Sequence, residues 1–463
     1  MKTKMTKHIF CGLLAGLGLL VSACDKKLEV QPTQSIDQSN ALTTEQDVRV
    51  TLVGAYDGLS DVDSYGGAIQ FTNELLGDDR EVVFGGTFTS LDELWRKSIV
   101  ATNLQVQDTW LDTYNAINRA NNVLSAIDRV GEDSRAQIEG EARFVRGVAY
   151  YGLVRLFAKA WGDGDNNTNL GVPLVLTPTR TLTEADNRPR NTVAEVYAQI
   201  LEDLNRAAEL LPAPSANENP GFATGSGALA MLARVYLNQG NYAAARDAAD
   251  QVIAAKGPLT LSFADVFNDA SSQAEVLFKV VVTDQDGTNA MNTYYGSVTN
   301  QGRGDIRVQT KHMDLYDSPT DERAQFFNLT NNGARRFTNK YSDQYGDVPV
   351  IRLAEMYLIR AEANFRLGTA VGATPLEDIN AVRSRAKALP IAPGALSLAT
   401  ILKERRLELA FEGLQLDDLK RTQGSVTIAG TVSPYSDSRL VLPIPQREID
   451  TNPALKGQQN AGY

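Results

Sequence analysis

The sequence predicts an all-α fold, a tetratricopeptide-like helical repeat framework carrying long irregular insertions with minor β-strands. Three observations predict it. Apolar residues recur at three- and four-residue spacing over long stretches. One segment, Leu229 to Ala255, places alanines, a glycine and two tyrosines at the offsets of a tetratricopeptide unit. The stretches between the periodic segments are rich in Gly, Asn, Thr, Asp and aromatics, as structured loops are.

The elements follow in chain order. Lys2, Lys4 and Lys7 precede a 13-residue apolar run, Ile9 to Val21, too short to span a bilayer as a helix. It ends in Val21-Ser22-Ala23-Cys24, small residues before a cysteine, as at a lipoprotein signal peptidase site. Residues 1–23 are therefore expected to be a signal peptide. Cys24 is the lipid attachment point, where palmitate-type acyl chains, at ~0.8 kcal/mol per buried CH₂, hold the protein to a membrane without a spanning helix. Polar residues 24–40 read as a lipidated tether, and 41–463 as a single domain.

Within that domain, Leu104 to Val130 places Trp110, Tyr114, Ile117, Val123 and Ile127 on one helical stripe. Ile138 to Ala160 does the same with Phe144, Val148, Tyr151, Val154 and Phe157. Thr192 to Leu211 follows Asn191, a suitable N-cap, and stops at Pro212. In the tetratricopeptide-like segment, Leu232, Ala233, Tyr236, Gly240, Tyr242, Ala245 and Ala249 set the pattern. Small residues let two helices approach, Gly240 ends the first helix, and Tyr236 fills the gap between them. A second pair is expected over Ile351 to Ala388, with Ala361, Ala363 and Gly368 in similar places. Irregular insertions are expected near 61–100 and 261–345, with a short strand at Val276 to Val282. Such insertions on a rigid frame are where binding concentrates.

Composition removes much chemistry. Once Cys11 leaves with the signal and Cys24 carries lipid, no free thiol or disulfide remains. His8 also leaves, so His312 stands alone, and a two-histidine zinc site is impossible. The net charge of −11 becomes about −14 without Lys2, Lys4 and Lys7, and no basic run suggests nucleic acid. Asp163-Gly164-Asp165-Asn166-Asn167-Thr168-Asn169 alternates oxygen side chains as calcium loops do. It has Thr168 where such loops need Gly and Leu174 where they need Glu, so it reads as a polar surface turn. Leu402, Leu409 and Leu416 recur at sevens and can face a helical neighbour. Glu404, Arg405, Arg406, Glu408 and Glu412 read as an ion-paired helical face, with a catalytic carboxylate pair as the sharper alternative.

Several motifs in order then resemble one family. They are Ala142 to Tyr151 (ARFVRGVAYY), Gly171 to Val175 (GVPLV), Asp347 to Glu355 (DVPVIRLAE), Ile359 to Ala363 (IRAEA), Ile401 to Gly413 (ILKERRLELAFEG), Leu442 to Gln446 (LPIPQ) and the closing Asn460-Ala461-Gly462-Tyr463. Together they resemble the SusD/RagB family of outer-membrane nutrient-binding lipoproteins over nearly the whole mature chain. Two places depart from its pattern. Gln415 to Leu419 replaces an Arg-Trp-Phe-Asp-Leu run, and Ala461 stands where the closing motif has proline. The resemblance implies a surface-facing, lipid-anchored protein of the cell outer membrane. It implies a partner, a SusC-like TonB-dependent transporter, and an oligosaccharide ligand, or a peptide. No catalysis, metal or cofactor is implied. A surface glycosidase, needing two carboxylates roughly 5 to 9.5 Å apart, and a helical-repeat protein with only protein partners are the competing readings.

Aromatics in the insertions are the candidate ligand contacts, because an exposed ring can cover the C–H face of a sugar while polar neighbours bond its hydroxyls. Trp95, near Arg96 and Asn103, is one. Tyr65 sits among glycines. Tyr294 and Tyr295 are followed by Arg303. The expected site set is Trp95, Tyr294, Tyr295, Tyr65, Asn103 and Arg303. Burial under a loop is the commoner fate of any one of them, and two or three are expected to bind. Trp110 and Trp161 adjoin strong helical patterns and are expected in the core or an interface.

Overall fold

The computed structural model describes residues 42–267 and 274–463, and Thr44–Tyr463 forms one compact unit. The expected signal peptide, Cys24 and the tether lie outside the described residues. The elements run α1 (Glu45–Ser60), α2 (Ala68–Gly77), β1 (Val82–Phe84), α3 (Thr89–Arg96), α4 (Leu104–Ser125), α5 (Glu132–Phe157), α6 (Val193–Leu210), α7 (Gly225–Asn238) and α8 (Tyr242–Lys256). They continue with β2 (Val276–Val280), α9 (Ala290–Tyr295), β3 (Ile306–Val308), α10 (Thr310–Met313), β4 (Phe327–Thr330), β5 (Arg335–Thr338) and β6 (Val348–Arg352). The last are α11 (Leu353–Leu367), α12 (Pro375–Arg385), α13 (Leu398–Glu408), α14 (Gln415–Arg421), β7 (Ser425–Ile428), β8 (Thr431–Pro434) and α15 (Gln446–Thr451).

The framework is the helical array that the periodicity predicts. Helices pack in sequence, α1 on α4, α4 on α5, α5 on α6, α6 on α7, α7 on α8, α8 on α11 and α11 on α12. Gly240, at φ 72°, makes the turn between α7 and α8 in a conformation that costs a side chain dearly. Gly368, at φ 64°, caps α11 the same way. The apolar stripe of α4 and α5 is core: Trp110 is buried and stacks edge-on against Phe157 at 5.0 Å. Trp161 lies half-buried against Tyr197.

Local chemistry moves some boundaries. Asn191 is not the cap of α6. Thr192 is, in a capping box with Glu195, and the Asn191 side chain instead accepts from the Leu174 amide at 2.9 Å. The strand from Val276 ends at Val280 and pairs antiparallel with β6. The seven-residue leucine spacing does not run along one helix. Phe411 and Gly413 take φ 67° and 80° between α13 and α14, so Leu409 and Leu416 enter the core while Leu402 stays partly exposed. Asp163 to Asn169 folds as a surface turn that spends its side-chain oxygens on itself. Asp165 accepts from the Asn167 amide at 2.9 Å and Asn166 from Gly162 at 2.9 Å.

The region near 61–100 departs most from expectation. It holds two helices, not an irregular loop, and every residue of α2 is buried. Its polar residues cap the turn after α13. Glu74 accepts from the amides of Gly413 and Leu414 at 3.0 and 3.1 Å, and Asn73 from Leu416 at 2.9 Å. A helix that buries all its faces shows no amphipathic stripe, so periodicity could not reveal it.

The charged run 404–412 is ion-paired, yet not within itself and not on the surface. Glu408 meets Arg323 (3.2 Å), Arg352 (2.7 Å) and Arg385, all buried. Glu412 meets Arg352 at 2.7 Å and Lys340 at 2.5 Å. Glu404 meets Arg323 and Arg383, both at 2.7 Å. Arg405 reaches Glu355 at 3.1 Å and Asp418 at 3.0 Å. Arg406 reaches Glu74 at 3.2 Å and Glu81 at 3.0 Å. Burial alone would raise the Glu408 carboxyl, but the surrounding cations hold it well below the usual carboxylate range. With its oxygens spent on these cations, Glu408 has none left for a reacting group.

Candidate ligand-binding face

Among the described residues, four two-stranded antiparallel ribbons decorate the helical frame, and one of them, β1–β3, organises a polar and aromatic surface. Val82, Phe84, Ile306 and Val308 turn inward and are buried, which the period-two alternation of a strand requires. Immediately after β1, Gly85 and Gly86 bring Phe88 to the surface, where the residue is 42% exposed. Tyr294 of α9 stands beside it, ring centroids 6.1 Å apart at 89°. Behind Tyr294, buried Phe71 of α2 closes the stack at 5.0 Å. The Arg303 guanidinium lies 4.6 Å from the Phe88 centroid, its Nε donating to Asp305 at 2.9 Å and its Nη2 to Thr87 at 3.2 Å. A rigid base thus presents an aromatic edge, a partly covered tyrosine and a fixed cation to solvent. Burial is the main cause of the raised pKa of Tyr294, so its hydroxyl stays a neutral donor.

The six expected residues divide. Tyr294 and Arg303 meet on this face. Tyr295 does not: it points into the core between Tyr341 and Phe411, because consecutive residues on a helical turn lie about 100° apart. Tyr65 is buried too, its hydroxyl donating to the Val148 carbonyl at 3.0 Å. Asn103 is the N-cap of α4. It accepts from the Val106 amide at 3.1 Å and donates to Ser90 at 3.0 Å and Glu93 at 2.7 Å, leaving nothing for a ligand. Trp95 sits on α3, not in a loop. Its indole donates to the Val82 carbonyl at 3.3 Å, Arg96 lies 5.1 Å from its ring, and it lines a separate cavity of about 390 Å³ with Arg80 and Gly430.

Phe88 was not among the expected residues. Its signal was a glycine pair ahead of an aromatic, which frees a chain end to expose a ring. Near Tyr294, Asp61, Asp63 and Asp112 bring carboxylate oxygens within 4.8 Å of one another. Asp63 is held by Gln105 at 2.6 Å, and burial raises the pKa values of Asp63 and Asp112. A larger cavity, about 440 Å³, lies elsewhere between α1, α5 and the loop before α7. Beside it Tyr56 donates to Glu141 at 2.8 Å and accepts from the Ala223 amide at 2.9 Å. His312, buried, has its Nδ1 2.7 Å from Glu81 and is structural.

This frame and face can be set beside known proteins. A family model described as starch-binding and associating with the outer membrane, of SusD-like type, matches residues 27–237, and the SusD family model matches 292–463. The chain belongs to the SusD/RagB family. SusD-like protein P38 of Formosa agariphila is 25% identical, over 97% of this chain and 98% of its own. The SusD-like fold is shared with a putative sugar binding protein from Bacteroides vulgatus at TM-score 0.80 and 27% identity, covering 91% and 99% of the two chains. A laminarin binding SusD-like protein has the same fold, with TM-score 0.73 at 24% identity, covering 91% of this chain and all of that one. Among the described residues, no helix of this SusD-family protein is long and apolar enough to cross a membrane.

Proposed function

We propose that this protein captures oligosaccharides at the outer surface of the cell and hands them to a SusC-like TonB-dependent transporter, breaking no bond itself. The observation that carries the reading is the face of Phe88, Tyr294 and Arg303, built rigidly on a SusD-family frame. Exposed rings stack on sugar faces, and the guanidinium and tyrosine hydroxyl supply hydrogen bonds. Sugar binding by structural relatives supports the ligand class. Trp95, in its neighbouring cavity, is a second stacking surface on this reading. Acylation at Cys24 tethers the protein, so Cys24→Ala releases it from the membrane fraction. Capture without a spanning segment requires a receiver. That receiver is the barrel, which co-purifies from mildly solubilised outer membrane.

The direct test is calorimetry of the full-length protein in mild detergent against neutral oligosaccharides and, as the competing ligand, mixed peptides. Phe88→Ala is expected to weaken sugar binding about fivefold, since each stacking contact contributes on the order of 1 kcal/mol. Sugar binding that ignores Phe88→Ala in a folded variant sinks the assignment of this face. Hydrolysis of a bound glycan sinks the non-catalytic reading.

A further inference from the structure

Beside β3 and the β4–β5 hairpin lies a smaller hollow of about 280 Å³. Arg307, Arg335 and Arg336 line it, and no aspartate or glutamate does. In a chain of net charge −11, three arginines line one hollow with no carboxylate among its lining residues. Among the described residues none of the three makes an ion pair, whereas the arginines of the core network are each matched with carboxylates. Like charges gathered this way repel, and an anion is what relieves them.

The hollow is built, not incidental. Arg307 sits opposite Val83 in the β1–β3 register. Its guanidinium lies across Gly85, so close that a Cβ there would stand 1.8 Å from its Nη2 and displace the arginine. Its Nε is buried and has no acceptor within the protein. The β4–β5 hairpin supplies the other two arginines, its turn held by Asn331, Asn332 and Gly333 at φ 54°, 53° and 86°. Gln309 and Thr310 add neutral donors at the rim. Arginine forks match planar or tetrahedral oxyanions, carboxylate or sulfate alike.

We propose that this hollow binds an oxyanion substituent of the captured sugar, so that the ligand is an acidic oligosaccharide bearing uronate carboxylates or sulfate esters. The inference rests on the oligosaccharide reading above. Arg303 of the aromatic face and Arg307 are four residues apart, at most about 14 Å of extended chain. A short oligosaccharide is long enough to reach from a ring on Phe88 to a charged group in the hollow.

The test is calorimetry on the full-length protein in mild detergent with four probes: an oligogalacturonate, a sulfated galactan oligosaccharide, a neutral galactan oligosaccharide of equal length, and inorganic sulfate. At least one acidic oligosaccharide should bind ten-fold or more tighter than the neutral one at low salt, with the preference shrinking as salt rises. Which acidic probe wins tells carboxylate from sulfate. Arg307→Gln/Arg335→Gln/Arg336→Gln should abolish the preference and leave neutral binding within about two-fold. Should that triple variant not fold, Arg335→Gln/Arg336→Gln on the exposed hairpin should still cut the preference several-fold. A preference that survives in a folded variant, no preference at all, or binding of inorganic sulfate alone each overturn the proposal. Loss of neutral binding by Phe88→Ala with the acidic preference retained keeps the hollow and its aromatic neighbour distinguishable. Absence of any acidic preference in the unaltered protein, with neutral binding intact, strikes only the hollow and leaves the Phe88 face standing.

Discussion

Two regions of this molecule use arginine in opposite ways. Around Glu275 and Glu408, Arg323, Arg352 and Arg385 are buried and each faces at least one carboxylate within 3.2 Å. Around β1 and β3, Arg303, paired with Asp305 at 2.9 Å, lies exposed against a ring, and among the described residues Arg307 has no carboxylate partner. The first arrangement spends its charge on itself and fixes the relation of β2, β6, α12 and α13. The second keeps charge available. A buried ion pair is weak evidence of net stability, but removing one partner from it is costly. An unpaired cation at a surface hollow contributes nothing to the fold and something to recognition.

The largest expected effect breaks the first arrangement. Glu408→Ala leaves three buried guanidinium groups short of a partner and should cost about 3–5 kcal/mol in urea unfolding. Arg335→Ala, on the hairpin, should stay within about 0.5 kcal/mol. Equal costs for the two variants would end the contrast.

This contrast also explains what was legible beforehand. The motifs that revealed the family, Asp347 to Glu355 and Ile401 to Gly413, contain Arg352, Glu355, Glu404, Arg405, Glu408 and Glu412, the paired charges of the frame. Their mutual fit in space dictates their identity, so the sequence carries a strong signature of the frame. Its ion pairing was readable as well, but not the partners, because i, i+4 spacing is visible in a sequence and a contact between Glu408 and Arg352 is not. The proposed ligand face sits on short segments between α2 and α3 and around α9, outside those motifs. There the sequence names candidate aromatics without saying which way they turn. Tyr294 and Tyr295 are chemically alike and differ only by one step of a helix. Asn103 stands directly before the Leu104 stripe, where an asparagine caps a helix, and in the fold it does so.

A pH titration sharpens the comparison next. Burial would raise the Glu81 carboxyl, but Arg406 and His312 hold it down at about 2, from an ordinary 4.5. Its folded-state value is depressed, so its contribution is full above about pH 4.5 and is lost as pH falls toward 2. That contribution is about 3 kcal/mol. Glu355, Glu362, Glu412 and Asp418 are lowered as well and act in the same direction. His312, lowered chiefly by burial, also loses its contribution as pH falls below 6.5. Asp78 opposes them: burial raises it to about 6, so its contribution is full below 3.8 and is lost as pH rises through 6. Stability measured by urea unfolding should therefore drop from pH 5 to pH 3, and Glu81→Gln should flatten that drop. An acid limb unchanged in Glu81→Gln would remove Glu81 from the network's account.

The smallest effects separate the adjacent tyrosines. The Tyr295 hydroxyl is buried without a hydrogen-bond partner, a cost the fold carries. Removing it by Tyr295→Phe keeps the ring between Tyr341 and Phe411 and should leave stability unchanged or raise it by up to about 1 kcal/mol. It should not touch ligand affinity, since nothing of Tyr295 reaches solvent. Tyr294→Ala should do the reverse. Its ring rests on Phe71 and Phe88 at the protein surface, so a sugar loses one stacking partner, about 1 kcal/mol or a fivefold weaker affinity. Paired melting curves and binding isotherms on the two variants read both quantities at once. If Tyr295→Phe weakened binding as much as Tyr294→Ala, the ligand would be reaching through the ribbon and not lying on it, and the assignment of recognition to the β1–β3 face would fall with that result.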